Sequence, residues 1–472
     1  MIGPGTRVHF VGVGGSGMSG IAELLVHLGC RVSGSDLRRS AATDRLEGLG
    51  VRFHDRHVSR HVEGADVVVF STAVPADNPE RQAAVRDGIP VVPRGEMLAQ
   101  LADSKRGVAV AGSHGKTTTA AMVALVLVAA GLDPTVVIGG TLPAFDSGAR
   151  AGQGPFMVVE ADESDRSFLK LAPEVAVLTN LDEEHLDAYA GMEDLEDAFL
   201  RFTAQVPDGG CIVACADDPG LRRLLPRVQA GAARRGVDVL AYGTDGVAAG
   251  VFASQAKLDA SGSTSRVRVS RGEDADFELR LAVPGLHNLQ NALAAVAAGM
   301  HFDVPPRAAA AALAHFRGAE RRLQIHGEVG GVTVIDDYGH HPTEIEAVIE
   351  TVRLRSPRRV HVVFQPHRYS RTIRLLERFG AALAAADSVL LAEVYAAGEP
   401  PIPGATAAAV AAAVSRASRT PVRVVGSLDV IPALVAAEAR AGDVVVTLGA
   451  GSIAAVPARI LEALRRETGE AP

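Results

Sequence analysis

The chain has 472 residues, 47% of them hydrophobic, with 47 basic against 55 acidic side chains and a net charge of −8. A mildly acidic chain with no Trp and 4% aromatics lacks the basic footprint that grips nucleic acid or anionic lipid, and the ring platforms on which bases stack. At roughly 100–200 residues per domain, the length predicts two to four domains with packed cores.

Cys30, Cys211 and Cys215 are too few and too irregular for a disulfide framework, and the C-x-x-x-C pair has no second half of a metal site, so all three read as ordinary thiols. No apolar run reaches the roughly 18 residues of a membrane span, and "MIGPGTRVHFVGVGG" is not a basic-then-apolar leader. The expectation is a soluble cytoplasmic protein with no nucleic-acid partner and no membrane insertion.

Apolar β-branched runs alternate with helical periods, which predicts α/β units with parallel sheets. In the first block, residues 1–105, "RVHFVGVGGSG" reads as a strand entering a glycine turn. The helix "MSGIAELLVHLG" follows and stops at Gly29, and "RVSGSD", "DVVVFSTAV" and "PVVP" are further strands. Gly12, Gly14 and Gly17 spell G-x-G-x-x-G, and Asp36 ends the second strand. That is a dinucleotide fingerprint and keeps an NAD-dependent oxidoreductase in view. The physics asks only for a pyrophosphate on a helix N-terminus and an acid near a ribose, and a UDP-sugar offers both.

The second block, 106–319, opens with the strand "RGVAVAG" and the run "GSHGKTTT". The usual phosphate loop is G-x-x-x-x-G-K-[ST]; here Val110 stands where its first glycine belongs, and Gly112 shortens the loop to G-x-x-G-K-T. A strand, a glycine turn and a helix still present unpaired N–H groups to phosphate. Lys116 is placed for the β- and γ-phosphates and Thr117 for Mg²⁺. An oxidoreductase has no use for this second loop. "PFMVVEADESD" is a buried strand ending in Glu160, where a Mg²⁺ ligand belongs; Asp162, Glu163 and Asp165 read mostly as helix-start acids. "EVAVLTNLDEEHLDAY" brings His185 to the same rim, as a second metal ligand. In "GLHNLQNALAA", Asn288 and Asn291 share a helix face and can read an adenine edge, with helix capping by Asn288 as the alternative.

The third block, 320–472, contains "DDYGHHPTEIE", where Thr343 and Glu346 fit a capping box and leave Tyr338, His340 and His341 for other work. "QPHRYSRT" supplies Arg368 and Arg371, forked donors suited to a carboxylate or phosphate.

Taken in order, "VGVGGSGMSG", "GSHGKTTT", "EADESDRSFL", "TNLDEEHLD", "HNLQNALAA", "DDYGHHPTE", "QPHRYSRT" and "VYAAGEPPIPG" resemble the Mur ligases of peptidoglycan synthesis across nearly the whole chain. The short loop is the form such ligases carry. The resemblance implies three α/β domains: a Rossmann-like UDP-sugar domain, a central ATP domain with a parallel or mixed sheet, and a Rossmann-like amino-acid domain. It implies the branch that joins L-alanine to UDP-N-acetylmuramate through an acyl phosphate, in a monomer or homodimer. By position it gives ATP to Gly112, Ser113, His114, Gly115, Lys116, Thr117, Thr118, Asn288, Asn291 and Arg322. Thr117, Glu160 and His185 would hold Mg²⁺, two ions in all, with Mn²⁺ as a substitute. Gly15, Ser16, Gly17, Met18, Ser35, Asp36 and Ser71 would meet the UDP-sugar, and Tyr338, His340, Arg368 and Arg371 the amino acid. Lys116, Glu160, His185, His340 and Arg368 form the implied catalytic set. Ser113 for Thr, and Ser452 where Asn is expected, depart from the pattern without removing a charge or a metal ligand.

Overall fold

The computed structural model describes residues 2–142, 145, 147–184, 188–244, 250–270 and 276–469. The chain forms two compact units. The first holds the chain up to Lys257 with Thr264–Ala282 and Asn288–Arg317; the second holds Leu258–Ser263, Val283–His287 and the chain from Gly318.

Two sheets build the first unit. One contains β1 (Arg7–Val11), β2 (Arg31–Ser35), β3 (Arg52–His54), β4 (Val67–Phe70) and β5 (Val91–Pro93), in the order β3-β2-β1-β4-β5 and parallel throughout. β1 and β4 are nearly continuous apolar runs because helices cover both faces of such a sheet. These helices are α1 (Ser16–His27), α2 (Ala41–Gly48), α3 (Pro79–Arg86) and α4 (Arg94–Ala102). The strand order reverses beside β1, which puts a ligand crevice at its carboxyl end, where the glycine turn leads into α1. Gly29, at φ +79°, follows α1 as expected.

A buried polar cluster ties β1, β2 and α3 together. The Glu80 carboxylate accepts from Ser35 Oγ (2.5 Å) and lies 2.7 Å from His61 Nδ1, 3.2 Å from His57 Nδ1 and 3.5 Å from His9 Nε2. Burial alone would raise its pKa; hydrogen bonds from His9, Ser35 and His61 outweigh that and hold it at about 2. His54, stacked on His61 at 3.8 Å, is lowered to about 4 by burial. Both folded-state values lie below the ordinary ones, so both groups stabilise the fold at neutral pH and lose that contribution in acid. Stability is expected to fall first between about pH 6.5 and 4 through His54, then between about 4.5 and 2 through Glu80, the latter by about 3 kcal/mol. Denaturant unfolding followed against pH checks this; Glu80→Gln should flatten the second limb, and an unchanged limb would refute the assignment.

The other sheet of this unit has ten strands: β6 (Arg106–Ala111), β7 (Thr135–Leu142), β8 (Ser147–Arg150), β9 (Phe156–Glu160), β10 (Val175–Leu178), β11 (Cys211–Cys215), β12 (Asp238–Gly243), β13 (Gly250–Asp259), β14 (Gly262–Val269) and β15 (Asp276–Leu281). Their order is β15-β14-β13-β12-β11-β10-β6-β9-β7-β8. Parallel pairing runs from β13 through to β7, and β8 is antiparallel, so the sheet is mixed. The three cysteines are free and buried. α5 (Lys116–Ala129) leaves β6 and is buried almost all round.

The second unit is built on β16 (Gln324–Val329), β17 (Val332–Asp337), β18 (Val360–Phe364), β19 (Ser388–Ala392), β20 (Val422–Val425) and β21 (Val444–Leu448), in the order β16-β17-β21-β18-β19-β20. Only the β16–β17 hairpin, turned by Gly330 and Gly331, is antiparallel. Both alanine-rich tracts are helical, over Pro306–Leu313 and Ala407–Ala417. No described helix is long and apolar enough to cross a membrane.

Candidate functional site

β10, β6 and β9 are adjacent and parallel, with Ala111 level with Leu178 and Val110 level with Glu160. Their carboxyl ends therefore form one rim, and the loop 112–115 rises from its centre. Gly112 (φ +139°) and Gly115 (φ +78°) hold backbone angles that side chains resist. A Cβ on Gly112 would lie 2.0 Å from Thr179 Oγ1, and one on Gly115 would lie 2.9 Å from Asn291 Oδ1. Gly112→Ala is expected to destabilise the protein by about 3 kcal/mol or more, read as a lowered melting temperature.

The end of β10 staples the short loop. Thr179 Oγ1 donates to His114 O at 2.6 Å. The Asn180 amide accepts from His114 N (2.8 Å) and donates to His114 O (3.0 Å). Ser113 Oγ accepts from Asp182 N at 2.9 Å. The short loop is braced by the end of the neighbouring strand, which satisfies the backbone of Ser113 and His114, rather than by a longer glycine run. The His114 imidazole lies between Asp182 (3.2 Å) and Glu184 (3.5 Å).

Lys116 Nζ donates to Gly112 O (2.6 Å), Ser113 O (3.1 Å) and Glu163 Oε1 (2.8 Å). Glu163 is buried, with its side chain 1% exposed. Burial pushes its carboxyl well above the usual range against the pull of Lys116. Glu163 is thus no helix-start decoration. Its neighbour Asp162 is held down at about 2, where Arg94 and Lys116 outweigh the upward push of burial. Thr117 Oγ1 donates to Glu160 Oε2 at 3.0 Å, and that oxygen also accepts from Gly139 N at 2.7 Å.

Thr118 is buried in the first turn of α5. Asn288 and Asn291 are both buried on the helix Leu286–His301, and Asn291 Oδ1 accepts from Thr119 Oγ1 at 3.0 Å. Asn288 sits inside that helix, so the capping alternative does not hold. His185 lies outside the described residues, as do Leu186 and Asp187.

At the crevice beside β1, Asp36 Oδ2 accepts from Gly14 N (2.9 Å), fixing the glycine turn. Gly15 precedes α1, and the Ser16 side chain is outside the described set. A Cβ on Gly12 would lie 3.6 Å from Ser71 Cβ, so Ser71 adjoins the turn. Two side chains turn away from the nucleotide role drawn from the sequence. Met18 is buried in the core, since the third helical position faces the sheet, and its N–H bonds to Gly15 O. The Ser35 hydroxyl points into the Glu80 cluster; its carbonyl, which accepts from Gly12 and Val13 N–H, is what reaches the turn.

In the second unit, β17 ends in Asp336 and Asp337. Asp336 accepts from Arg321 Nε (2.7 Å) and Thr447 Oγ1 (2.6 Å). Asp337 accepts from Leu323 N and Gly339 N (2.7 Å each), and burial lifts it to about 6. The helix Pro342–Arg353 is capped by His341, with Glu344 completing the box, because Pro342 takes the first helical position. This corrects the Thr343/Glu346 box; His341 is fully buried and its Nδ1 accepts from Thr343 N. Tyr338, His340, His367 and Tyr395 form a chain of ring contacts at 5.4–5.6 Å, and Arg371 Nη1 lies 3.2 Å from His367 Nδ1. Arg322 stands 5.3 Å over the Tyr338 ring and 3.4 Å from Glu344. Arg368 is held at φ +68° by the bond from its N–H to Tyr395 O (2.8 Å), and its Nη1 lies 3.9 Å from Glu399. Sequence reasoning missed Thr179, Asn180, Glu163, Asp336 and Asp337, each of which has a partner well separated from it in the chain.

The family described as "Mur ligase family, catalytic domain" matches residues 7–106, "Mur ligase middle domain" matches 110–299 and "Mur ligase, glutamate ligase domain" matches 321–451. The UDP-N-acetylmuramate–L-alanine ligase of Solibacter usitatus is 46% identical over 98% of this chain and 96% of its own length. The ligase of that name from Myxococcus xanthus is 48% identical over 97% and 95%. Among solved structures, the UDP-N-acetylmuramate–alanine ligase of Thermotoga maritima superposes with a TM-score of 0.82 at 28% identity, covering 98% of this chain and 100% of that one. A murein peptide ligase from Psychrobacter arcticus gives 0.74 at 26%, covering 98% and 99%.

Proposed function

The chain belongs to the Mur ligase family, and from that premise we propose that it joins L-alanine to the lactyl carboxylate of UDP-N-acetylmuramate, giving UDP-N-acetylmuramoyl-L-alanine, ADP and phosphate. The observation that carries this reading is the stapled four-residue phosphate loop, with the Lys116 side chain bonded back to it and Thr117 against Glu160. This combination displaces the oxidoreductase reading of the glycine fingerprint.

In this reading residues 1–105 take the UDP-sugar, 106–319 take ATP, and 320–472 take the amino acid through Tyr338, His340, Arg368 and Arg371. Asn288 and Asn291 take the adenine, and the reaction runs in the cytoplasm. Thr117 and Glu160 offer hard oxygen donors 3.0 Å apart, a donor set that suits a hard divalent cation. With His185 they would hold Mg²⁺, and Mn²⁺ suits the same donors. Bound there, the ion would supply charge neutralisation for the transferring phosphoryl group.

A carboxylate is a poor electrophile, so the lactyl carboxylate first attacks the γ-phosphorus and displaces ADP. Lys116 meets the charge on the transferring group, and the loop N–H groups orient the phosphates. The alanine amine, in its neutral form, then attacks the acyl phosphate carbonyl. The tetrahedral oxyanion collapses, phosphate leaves with the C–O electron pair, and the amine gives up its extra proton.

Phosphate release from MgATP and UDP-N-acetylmuramate, scanned over single amino acids and a cell-wall tripeptide, tests the reading. Release that depends on L-alanine is expected. Release with the tripeptide alone would move the chain to the peptide-adding branch, and no release with any acceptor would overturn a catalytic role.

A further inference from the structure

α1 begins at Ser16, has no acidic residue in its first turn, and points the positive end of its dipole at the crevice beside β1. A cation is the last group expected there, yet Arg94 is built against it. A Cβ on Gly17 would lie 2.6 Å from Arg94 Nη1, 3.2 Å from its Cδ and 3.3 Å from its Cζ. The guanidinium therefore lies on the bare backbone of the first turn of α1. Glycine at position 17 is what allows it.

The position of Arg94 is fixed from its other side. Nη2 donates to Asp162 Oδ2 at 2.7 Å, and Asp165 is 4.0 Å away. The side chain is only 16% exposed. α4, which Arg94 begins, is clamped to the same acidic segment twice more. Lys170 donates to Glu96 at 2.7 Å, and Gly95 packs so closely on Ser167 that a Cβ there would come within 2.3 Å of the serine Cβ. Asp162 itself is tied into its turn by Ser164 N at 3.0 Å. One edge of the guanidinium is thus anchored, and Nη1 is directed at the helix start.

We propose that Arg94 is a pyrophosphate-reading side chain of the UDP-sugar site, its Nη1 edge and the first amides of α1 converging on the same phosphate oxygens. The inference rests on the UDP-sugar reading of the glycine turn. A diphosphate between two positive partners removes the repulsion between them, and the anchored fork loses little freedom on binding. Asp162 adjoins Glu163, the partner of Lys116, so the residue that reads the sugar nucleotide is anchored on the acidic segment that faces the ATP loop.

Binding of UDP and of uridine to the full-length protein, measured by ligand-observed NMR for wild type, Arg94→Gln and Arg94→Lys, tests this. For Arg94→Gln, UDP binding is expected to weaken by roughly tenfold or more with uridine binding unchanged. Arg94→Lys should fall between, because a single ammonium lacks the two separate edges with which the guanidinium faces Asp162 and a phosphate. In turnover, the rise in KM for the sugar nucleotide should exceed the loss in kcat. Unchanged UDP binding in a variant that melts like wild type would overturn the proposal and leave the functional reading standing. Equal losses of UDP and uridine would make Arg94 a structural strut. A wild type that binds neither would overturn the reading of the turn itself.

Discussion

Replacing Lys116 with Ala is expected to cut alanine-dependent phosphate release by at least about a hundredfold. Lys116 is the cation within the phosphate loop, and charge on the transferring phosphoryl group peaks in the transition state. Its loss should therefore lower kcat and kcat/KM together rather than raise KM alone. The structure complicates a bare alanine substitution, because Lys116 is also the partner of the buried Glu163, 2.8 Å away. Stranding a buried carboxylate costs up to about 3–5 kcal/mol, and less here because burial already favours the protonated form of Glu163. The two contributions separate in the double variant Lys116→Ala, Glu163→Gln, which should recover thermal stability without recovering turnover. A double variant with near-normal release would remove Lys116 from the mechanism.

Glu160→Ala should rank beside it. The carboxylate supports Thr117 and Gly139 N–H as well as offering a metal ligand. The expected loss is on the order of a hundredfold in turnover, with the Mg²⁺ concentration for half-maximal activity moved upward by roughly tenfold or more. Leaving Gly139 N–H without its acceptor adds roughly 1–3 kcal/mol of destabilisation. Glu160→Gln retains an acceptor for that N–H but is a weaker metal ligand. It should therefore keep the melting temperature and still show the raised Mg²⁺ requirement. A Glu160→Gln protein with unaltered Mg²⁺ dependence would refute the metal assignment.

Elements whose signal is local were legible in the chain. β1, β4, β6, β9 and β10 are nearly continuous apolar runs, and a run of that kind must be buried on both faces wherever it lies. The glycine stops at Gly29 and Gly112 declare themselves because φ is positive there. Short edge strands such as β3 and β20 escaped, since three or four half-exposed residues carry no period. The cap of the helix Pro342–Arg353 was misplaced by two residues because Thr343 resembles a better cap than His341, and only the fixed φ of Pro342 decides between them.

The sequence by itself determined the composition class, the alternation of strand and helix, and the placing of Lys116 and Thr117 at a helix start and of Glu160 at a strand end, because periodicity and turn chemistry act over a few residues. The tertiary structure decided the partners. Asn180 reaches back 66 residues to His114, Glu163 reaches 47 to Lys116, and Arg94 reaches 68 forward to Asp162. A buried charge must find an opposite charge or a hydrogen bond wherever the fold supplies one. Strand order and register choose that partner, and neither is written in any local stretch of the chain.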